Sequence, residues 1–211
     1  MGRIQKFDRP TVVRAARDEF WNTGYEATTV TDLERATRVN RSSLYHAFGS
    51  KRGLFDVAVA DYLDAVARPR LRVLLSGSSD ASGLGAYFDG LAVETSRRGC
   101  LLVNCAAGLA GHDAEARAVV DTYRAELTAA LRHALAAASP AVVATRTEVD
   151  ARARILASLS MSAMLIARIN REEAMAVLAA ARDQATTWIE GTHRAPHGAV
   201  RPGDPGGRAA H

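Results

Sequence analysis

The residues best suited to chemistry with a ligand lie between positions 28 and 52, and that chemistry is hydrogen bonding to nucleic acid. The candidate DNA-binding residues are Thr28, Thr29, Thr31, Asn40, Arg41, Ser42, Ser43, Tyr45, His46, Lys51 and Arg52. An arginine side chain can donate two hydrogen bonds to a guanine edge, while hydroxyls and free amides at a helix N-terminus suit a phosphate oxygen. This part of the sequence therefore predicts a surface that contacts both bases and phosphates.

Residues 29–48 have the pattern of two short helices joined by a tight turn. Thr29 and Asp32 are spaced as an N-terminal cap of the first helix, and Asn40 is a favourable cap for the second. The apolar positions are Val30, Leu33, Val39, Leu44 and Phe48. If the last two face inward, the polar residues that follow Asn40 must face outward. The pattern predicts a helix-turn-helix, with an ordinary helical hairpin as the alternative.

The distribution of charge favours the same region. Residues 1–55 contain ten Lys or Arg and six Asp or Glu, whereas residues 56–211 contain seventeen of each. All of the net charge of +4 therefore belongs to the first quarter of the chain. Basic residues displace the counterions condensed on a polyanion, so we expect the phosphate-binding surface there.

Apolar residues recur at intervals of three and four almost throughout, which predicts an all-α fold of about nine helices. We expect an N-terminal three-helix helix-turn-helix domain (1–55), a larger helical domain (56–191), and a disordered tail (192–211). The first predicted helix runs from Arg9 or Pro10 to Trp21, with Gly24 as its C-cap. The next three begin at Thr29, after Asn40 and at Ser50, and the last of these runs towards Pro69. The other five are predicted over about 84–97, 100–111, 113–138, 147–169 and 171–190. Pro69 should kink or end its helix, and 76–83 should be a flexible connection.

Several function classes lack support in the sequence. It contains no apolar run long enough for a membrane span and no signal peptide, so we expect a cytoplasmic protein without a membrane partner. We find no metal-ligand spacing, no phosphate-binding loop and no combination of nucleophile, base and orienting residue, and therefore predict no enzyme, cofactor or metal. The histidines of the tail, His193, His197 and His211, are taken as incidental. The alternatives are an α-helical small-molecule-binding protein or enzyme without DNA recognition, and a nonspecific DNA-packing protein, which the balanced charge beyond residue 55 disfavours.

Helix position alone suggests where an effector would bind. The candidate lining residues are Tyr62, Val66, Tyr87, Leu91, Asn104, Cys105, Tyr123, Met161 and Met164. Cys100 and Cys105 are too far apart on one helix for a disulfide. Arg97 and Arg98 lie close enough in sequence to assist a Cys100 thiolate, but buried and inert cysteines are the favoured interpretation.

The last two predicted helices each carry an apolar face. One consists of Ile155, Leu156, Leu159, Ala163 and Ile166, and the other of Ala174, Val177, Leu178, Ala181, Ala185 and Trp188. Such faces pair either between subunits, as a four-helix bundle, or within one chain. The spacing of the apolar residues favours neither arrangement over the other.

Three segments resemble the N-terminal signature of the tetracycline-repressor (TetR) family of regulators. They are Phe20-Trp21-Asn22-Thr23-Gly24-Tyr25, Thr28-Thr29-Val30 and Ser43-Leu44-Tyr45-His46-Ala47-Phe48-Gly49-Ser50-Lys51. The resemblance covers about residues 10–60, and a weaker one continues through Arg98-Gly99-Cys100-Leu101-Leu102-Val103-Asn104.

This resemblance implies a ligand-responsive repressor that binds palindromic double-stranded operator DNA as an Ω-shaped homodimer. It makes residues 56–191 the effector-binding and dimerisation domain, with the homodimer formed through the last two predicted helices. It places Arg41, Ser42 and His46 nearest the bases, and Thr29, Tyr45 and Lys51 on phosphates. The sequence departs from many relatives at Arg38, where glycine is common, and at Ala47, where histidine is common. Arg38 is therefore expected to adopt a left-handed backbone conformation. The effector, operator, regulated genes and sign of regulation are not determined by the sequence.

Overall fold

The computed structural model describes residues 7–76, 82–94, 98–138 and 144–193, and every regular element in these ranges is helical. The α-helices are α1 (Arg9–Thr23), α2 (Val30–Thr37), α3 (Arg41–Phe48), α4 (Lys51–Tyr62), α5 (Arg68–Leu75), α6 (Ser82–Glu94), α7 (Leu101–Ala107), α8 (Ala114–Ala138), α9 (Arg146–Ile166) and α10 (Arg171–His193). Because α4 and α5 run on as one rod, the described ranges contain nine separate α-helical rods. The predicted all-α fold is confirmed.

The first three helices form a compact head. The Asp8 carboxylate caps α1 by accepting a hydrogen bond from the Thr11 amide, and Pro10 occupies the first turn. As predicted, α1 ends at Gly24, whose φ of 89° is one that glycine adopts readily. Phe20, Leu33 and Leu44 are almost completely buried in the core of the head.

One rod connects the head to the rest of the protein. Ser50 caps α4 as predicted, and Phe55 packs edge-on against Phe20 with ring centroids 5.1 Å apart. A π-helical stretch (Leu63–Ala67) then leads into α5. Pro69, which was expected to kink or end the helix, lies in the first turn of α5, where its missing N–H is tolerated, and the α-helical pattern is interrupted just before it by the π-helical stretch.

The remaining helices form the body. In this part of the molecule α9 packs against both α8 and α10, while α6 lies against α5 and α10. Leu127, Leu131 and Leu156 are fully buried at its centre. The short helix α7 contacts α1 and α4 as well as α8, so it joins the body to the head.

The apolar faces predicted for the last two helices are largely buried within a single chain. Leu156, Ala163, Ala174, Leu178, Ala181 and Ala185 pack inside the body, as the intrachain alternative expects. Ile155, which also belongs to the predicted face, is 47 % exposed, and two further apolar residues, Leu165 and Ile169, are 42 % and 86 % exposed.

Some helix bounds also differ from the prediction. α6 ends at Glu94, and the helix predicted over 100–111 consists of α7 followed, after Gly108, by a 3₁₀ turn (Leu109–Gly111). α10 continues to His193, and so enters the predicted tail. Most of the predicted flexible connection, 77–81, and the tail from 194 onwards lie outside the described residues.

Membrane-spanning helices and metal-binding clusters are both absent from the described residues. No helix among them combines the length and apolar character needed to cross a membrane. No group of three or more His, Cys, Asp or Glu side chains in the same ranges is arranged to hold a metal ion.

Candidate nucleic-acid interface

The N-terminus of α2 is held by a reciprocal cap. The Thr29 hydroxyl accepts a hydrogen bond from the Asp32 amide at 3.1 Å, and the Asp32 carboxylate accepts one from the Thr29 amide at 3.0 Å. The Asp32 carboxylate also accepts a hydrogen bond from the Thr29 hydroxyl at 2.6 Å, and this bond, together with the one from the Thr29 amide, lowers the pKa of Asp32. Thr29 and Thr31 are exposed beside the positive end of the helix dipole, where a phosphate would bind.

Thr28 does not belong to this surface, which corrects the prediction for that residue. Its side chain is 1 % exposed, and its hydroxyl donates to the Gly24 carbonyl at 2.6 Å. The residue therefore stabilises the loop between α1 and α2 from inside. Sequence position alone could not distinguish it from its neighbour Thr29.

The turn between α2 and α3 has the geometry expected from the sequence. Arg38 is the only non-glycine residue in the described ranges with a positive φ, and its φ of 58° and ψ of 27° are left-handed. The Asn40 side chain caps α3 by accepting a hydrogen bond from the Ser43 amide at 2.9 Å. The Arg41 amide donates to the Glu34 carboxylate at 2.5 Å, which ties the start of α3 to α2.

The helix α3 presents its polar face to solvent. Leu44 and Phe48 are 2 % and 8 % exposed and anchor the helix to the core. Arg41, Ser42 and His46 are exposed on the opposite side, and Ser43 and Tyr45 are half-buried. The Arg41 guanidinium lies 5.2 Å from the centroid of the Tyr45 ring. The structure thus brings these five predicted residues together on one helix with hydrogen-bonding groups directed outward.

Lys51 lies beside this face at the start of α4. Its ammonium is 4.5 Å from the centroid of the Tyr25 ring and donates a long hydrogen bond of 3.4 Å to the Glu26 carbonyl. Partial burial lowers the pKa of Lys51. The arrangement orients a cation at the edge of the head, as a phosphate contact requires.

Arg52 has a different role from the one predicted. Its guanidinium donates to Asp56 at 2.6 Å, to both oxygens of Asp113, and to Glu115 at 3.3 Å. Asp113 also accepts a hydrogen bond from the Ala116 amide at the start of α8. These contacts lower the pKa of Asp113 to about 2. Arg52 therefore joins the head to the body instead of facing DNA.

Sequence reasoning missed a second part of this junction. The Trp21 indole N–H donates to the Gly99 carbonyl at 3.0 Å, in a buried hydrogen bond between α1 and the loop before α7. Gly99 has a φ of 63°, and a Cβ added there would lie 2.2 Å from the Met164 carbonyl oxygen. The only sign of this contact in the sequence was the glycine at position 99, because the residues that pack around Gly99 come from distant parts of the chain.

The predicted effector-binding residues separate into three places. Val66, Tyr87 and Leu91 line a cleft of about 510 Å³ beside the π-helical stretch. Asn104 and Cys105 line a pocket of about 200 Å³ at the head–body junction. Tyr123, Met161 and Met164 surround a very small interior cavity that Tyr87 and Leu91 also line. Tyr62 is fully buried and donates a hydrogen bond to the Cys100 sulfur at 3.3 Å.

The two cysteines are free and buried. Desolvation raises the pKa of Cys105 to about 11. At neutral pH its thiol is therefore protonated, which makes it a poor nucleophile. These observations support the interpretation of Cys105 as a packing residue.

Known proteins share this sequence pattern and this fold. The sequence profile described as bacterial regulatory proteins, tetR family, matches residues 12–58. A cysteine mutant of the TetR family transcriptional regulator CifR, solved in complex with 26-base-pair double-strand operator DNA, is 30 % identical; the match covers 86 % of this chain and 98 % of that one with a TM-score of 0.72.

Two curated relatives agree with that match. The uncharacterized HTH-type transcriptional regulator YezE of Bacillus subtilis is 28 % identical over 82 % of this chain and 92 % of its own length. The HTH-type transcriptional repressor ComR of Escherichia coli is 33 % identical over 49 % of this chain, and the chain spans only 51 % of ComR. With its head, its connecting rod and its helical body all matched by CifR, this chain belongs to the TetR family of bacterial regulatory proteins.

Proposed function

We propose that this TetR-family protein is a transcriptional repressor that binds a palindromic operator as a homodimer and is released by a small-molecule effector. The observation that carries the proposal is the outward polar face of α3, in which Arg41, Ser42 and His46 are exposed while Leu44 and Phe48 are buried. An exposed helix of this kind fits the major groove of B-form DNA. The operator complex of the related CifR supports the same conclusion.

The proposed contacts divide into two groups. Arg41, Ser42 and His46 read base edges, because they are the most exposed polar residues of α3. Phosphate contacts are assigned to Thr29, Thr31, Asn40, Ser43, Tyr45 and Lys51. Phosphate contacts fix orientation and base contacts give specificity, so loss of a residue from either group has a distinct signature. Thr28 and Arg52 are left out, since Thr28 is buried and Arg52 is paired with three carboxylates.

We propose that the homodimer forms through α9 and α10. The exposed face of α9 combines Ile155 and Leu165 with the small side chains of Ser158 and Ser162 at helical spacing, and the exposed Ile169 follows in the turn after the helix. Small residues allow two helices to approach closely, and large apolar residues at exposed positions are stabilised by burial. Two such pairs of helices would form a four-helix bundle across a two-fold axis.

Residues 1–55 then act as the DNA-binding unit and residues 56–191 as the effector-binding and dimerisation unit, with the α4–α5 rod as the lever between them. Two heads must lie about 34–36 Å apart to enter successive major grooves. An effector that favours another separation by about 1–3 kcal/mol weakens operator binding roughly 5- to 150-fold. Arg52 and Trp21 transmit the change, because both connect the head to the body.

Selection of duplexes from a random pool by the full chain, at one fixed salt concentration, tests this function. We expect enrichment of an inverted repeat whose half-sites lie about one helical turn apart. The variant His46→Ala should relax the selected sequence, whereas Arg124→Ala, on the exposed surface of α8, should select the same repeat as the parent. Absence of an enriched repeat would favour the small-molecule-binding alternative, and binding without sequence preference would favour DNA packing.

A further inference from the structure

Arg38 has a backbone conformation that an arginine adopts only at a cost. Its φ of 58° and ψ of 27° lie in the left-handed region, where the Cβ of any residue other than glycine comes close to the following carbonyl oxygen. Both neighbours hold it there, because Thr37 and Val39 are 9 % and 7 % exposed and the Val39 amide donates to the Thr37 hydroxyl at 3.3 Å. Glycine would fit this position without the steric conflict. The strain therefore points to a role for the Arg38 side chain.

The Arg38 side chain has no partner within the described residues. It is exposed, and it forms no hydrogen bond, ion pair or ring contact there. The other arginines of residues 7–55 each have at least one such contact; they are Arg9, Arg14, Arg17, Arg35, Arg41 and Arg52. Both carboxylates of α2 are already engaged, Asp32 by Arg35 at 2.7 Å and Glu34 by the Arg41 amide at 2.5 Å. The positive charge of Arg38 is therefore left without a counter-charge in the free head.

The turn places this charge at the edge of the helix that reads bases. Arg38 lies three residues before Arg41, which is exposed at the start of α3. Three residues span at most about 10 Å, and the major groove is roughly 12 Å wide between the two backbones of the duplex. With Arg41 at a base edge, the guanidinium of Arg38 can therefore reach a phosphate on the wall of the groove.

We propose that Arg38 contacts a backbone phosphate beside each half-site, which adds one phosphate contact per subunit to those assigned above. This inference rests on the proposed function and deepens it. The charge of Arg38 gains nothing within the free head, but on the operator it neutralises a phosphate and releases condensed counterions. The strain in the turn is then offset in the complex with DNA.

The salt dependence of operator binding measures this contact. Each phosphate contact contributes about 0.9 to the slope of log affinity against log salt concentration, so the loss of two contacts from a dimer lowers the slope by about 1.8. Because counterion release contributes nothing at about 1 M salt, the same loss weakens binding roughly 30-fold at about 0.15 M. We expect both effects in Arg38→Asn, since asparagine tolerates the left-handed conformation but has no charge. The preferred bases should remain those of the parent.

Two further variants test whether the charge is responsible. Arg38→Lys retains the charge and should keep most of the slope. Arg72→Gln removes an exposed arginine of α5 that likewise has no partner in the described ranges, and it should change neither slope nor affinity. Thermal unfolding of Arg38→Asn should show no loss of stability, because no internal contact is removed. A lower unfolding midpoint with an unchanged slope would mean that Arg38 only shapes the turn, and would overturn the proposal.

Two duplexes separate this inference from the function on which it rests. One contains the selected inverted repeat, and the other has an unrelated sequence of the same length, which binds only through its phosphates. An unchanged slope for Arg38→Asn on the selected repeat would refute the contact and leave the repressor function standing. If no repeat is selected, the proposed function fails, and the slope on the unrelated duplex still decides whether Arg38 contacts phosphate. A changed base preference at one position would make Arg38 a base-reading residue and would also overturn the proposal.

Discussion

The outward face of α3 and the junction between head and body use hydrogen-bonding side chains in opposite ways. On α3, Arg41, Ser42 and His46 are exposed, and their side chains point to solvent. At the junction, Arg52 reaches three carboxylates, and the Trp21 indole donates to a buried carbonyl. One surface keeps its hydrogen-bonding capacity for a partner, whereas the other has used it within the chain.

This difference separates recognition from transmission. A side chain that is to read a base edge should not be held in an internal ion pair in the free protein, since breaking that pair would reduce the gain on binding. A side chain that transmits a conformational change must instead be held on both sides of the joint. Four measurements, in order of decreasing expected effect, would sharpen this distinction or contradict it.

Gly99→Ala should be the most damaging single change at the junction. A left-handed backbone costs an alanine about 1–2 kcal/mol. The added Cβ would also approach the Met164 carbonyl oxygen to 2.2 Å, so the loop must shift and the bond from Trp21 to Gly99 weakens. We expect a clear fall in the thermal unfolding midpoint. Gly111→Ala is the matched control, because an added Cβ there meets nothing within 4 Å; an equal loss in both variants would contradict the close approach at Gly99.

Arg41→Ala should weaken operator binding by about 1–3 kcal/mol, or roughly 5- to 150-fold, and relax specificity at one base position. Its unfolding midpoint should stay near that of the parent, because Arg41 is exposed. Arg52→Ala should do the reverse by lowering the midpoint and keeping the base preference. Binding isotherms and thermal unfolding of both variants check the comparison, and a loss of base preference in Arg52→Ala would assign that residue to the DNA surface.

Asp113→Asn should reveal the junction through its pH dependence. The contacts of Arg52 lower the pKa of Asp113 to about 2 in the folded state, compared with about 3.9 in an unfolded chain. A depressed carboxylate pKa stabilises the fold above the unfolded pKa, and this stabilisation is lost as the pH falls towards the folded one. The parent should therefore unfold at a higher temperature than Asp113→Asn at pH 6, and the gap should close between pH 4 and pH 2.

The control for this titration is Asp121→Asn on α8, which removes an exposed pair with Arg124. Such surface pairs contribute little to stability, so a small difference is expected at every pH. If the difference in unfolding temperature between the parent and Asp113→Asn did not depend on pH, the ion pair between Arg52 and Asp113 would not be its source.

Arg38→Gly should have the smallest effect, and it should be stabilising. Glycine relieves the left-handed strain at φ 58° but loses more entropy on folding, which leaves a net gain of about 0.5–1 kcal/mol in the free energy of unfolding. Arg35→Gly, within α2, should instead destabilise by about 1 kcal/mol. Denaturant titrations distinguish the two signs, and loss of stability in both variants would mean that the Arg38 side chain makes a stabilising contact.

Much of the local structure of the head could be read directly from the chain. The caps at Thr29, Asn40 and Ser50, the end of α1 at Gly24 and the left-handed Arg38 all depend on residues within four positions of one another. For the same reason the outward face of α3 followed from the spacing of Leu44 and Phe48. The positions proposed for DNA contact are therefore mostly those that the sequence indicated.

The errors arose where the outcome depends on how the chain packs in three dimensions. Thr28 and Thr29 are adjacent and chemically identical, but only Thr28 is buried, and its hydroxyl donates to the Gly24 carbonyl. Likewise, Lys51 and Arg52 both follow the cap of α4, but Asp113 lies within reach of only the second.

The sequence by itself determined the helical class, the caps and the polar face of the reading helix, because these depend on propensities and periodicities within a few residues. Only the tertiary structure decided which arginine joins head to body, which apolar faces are buried within one chain, and which candidate residues share a cleft. Those outcomes depend on contacts between different helices, some of them between residues far apart in the chain, such as Arg52 and Asp113 or Trp21 and Gly99. Burial and ion pairing between such residues are properties of the packed molecule, and no local pattern specifies them.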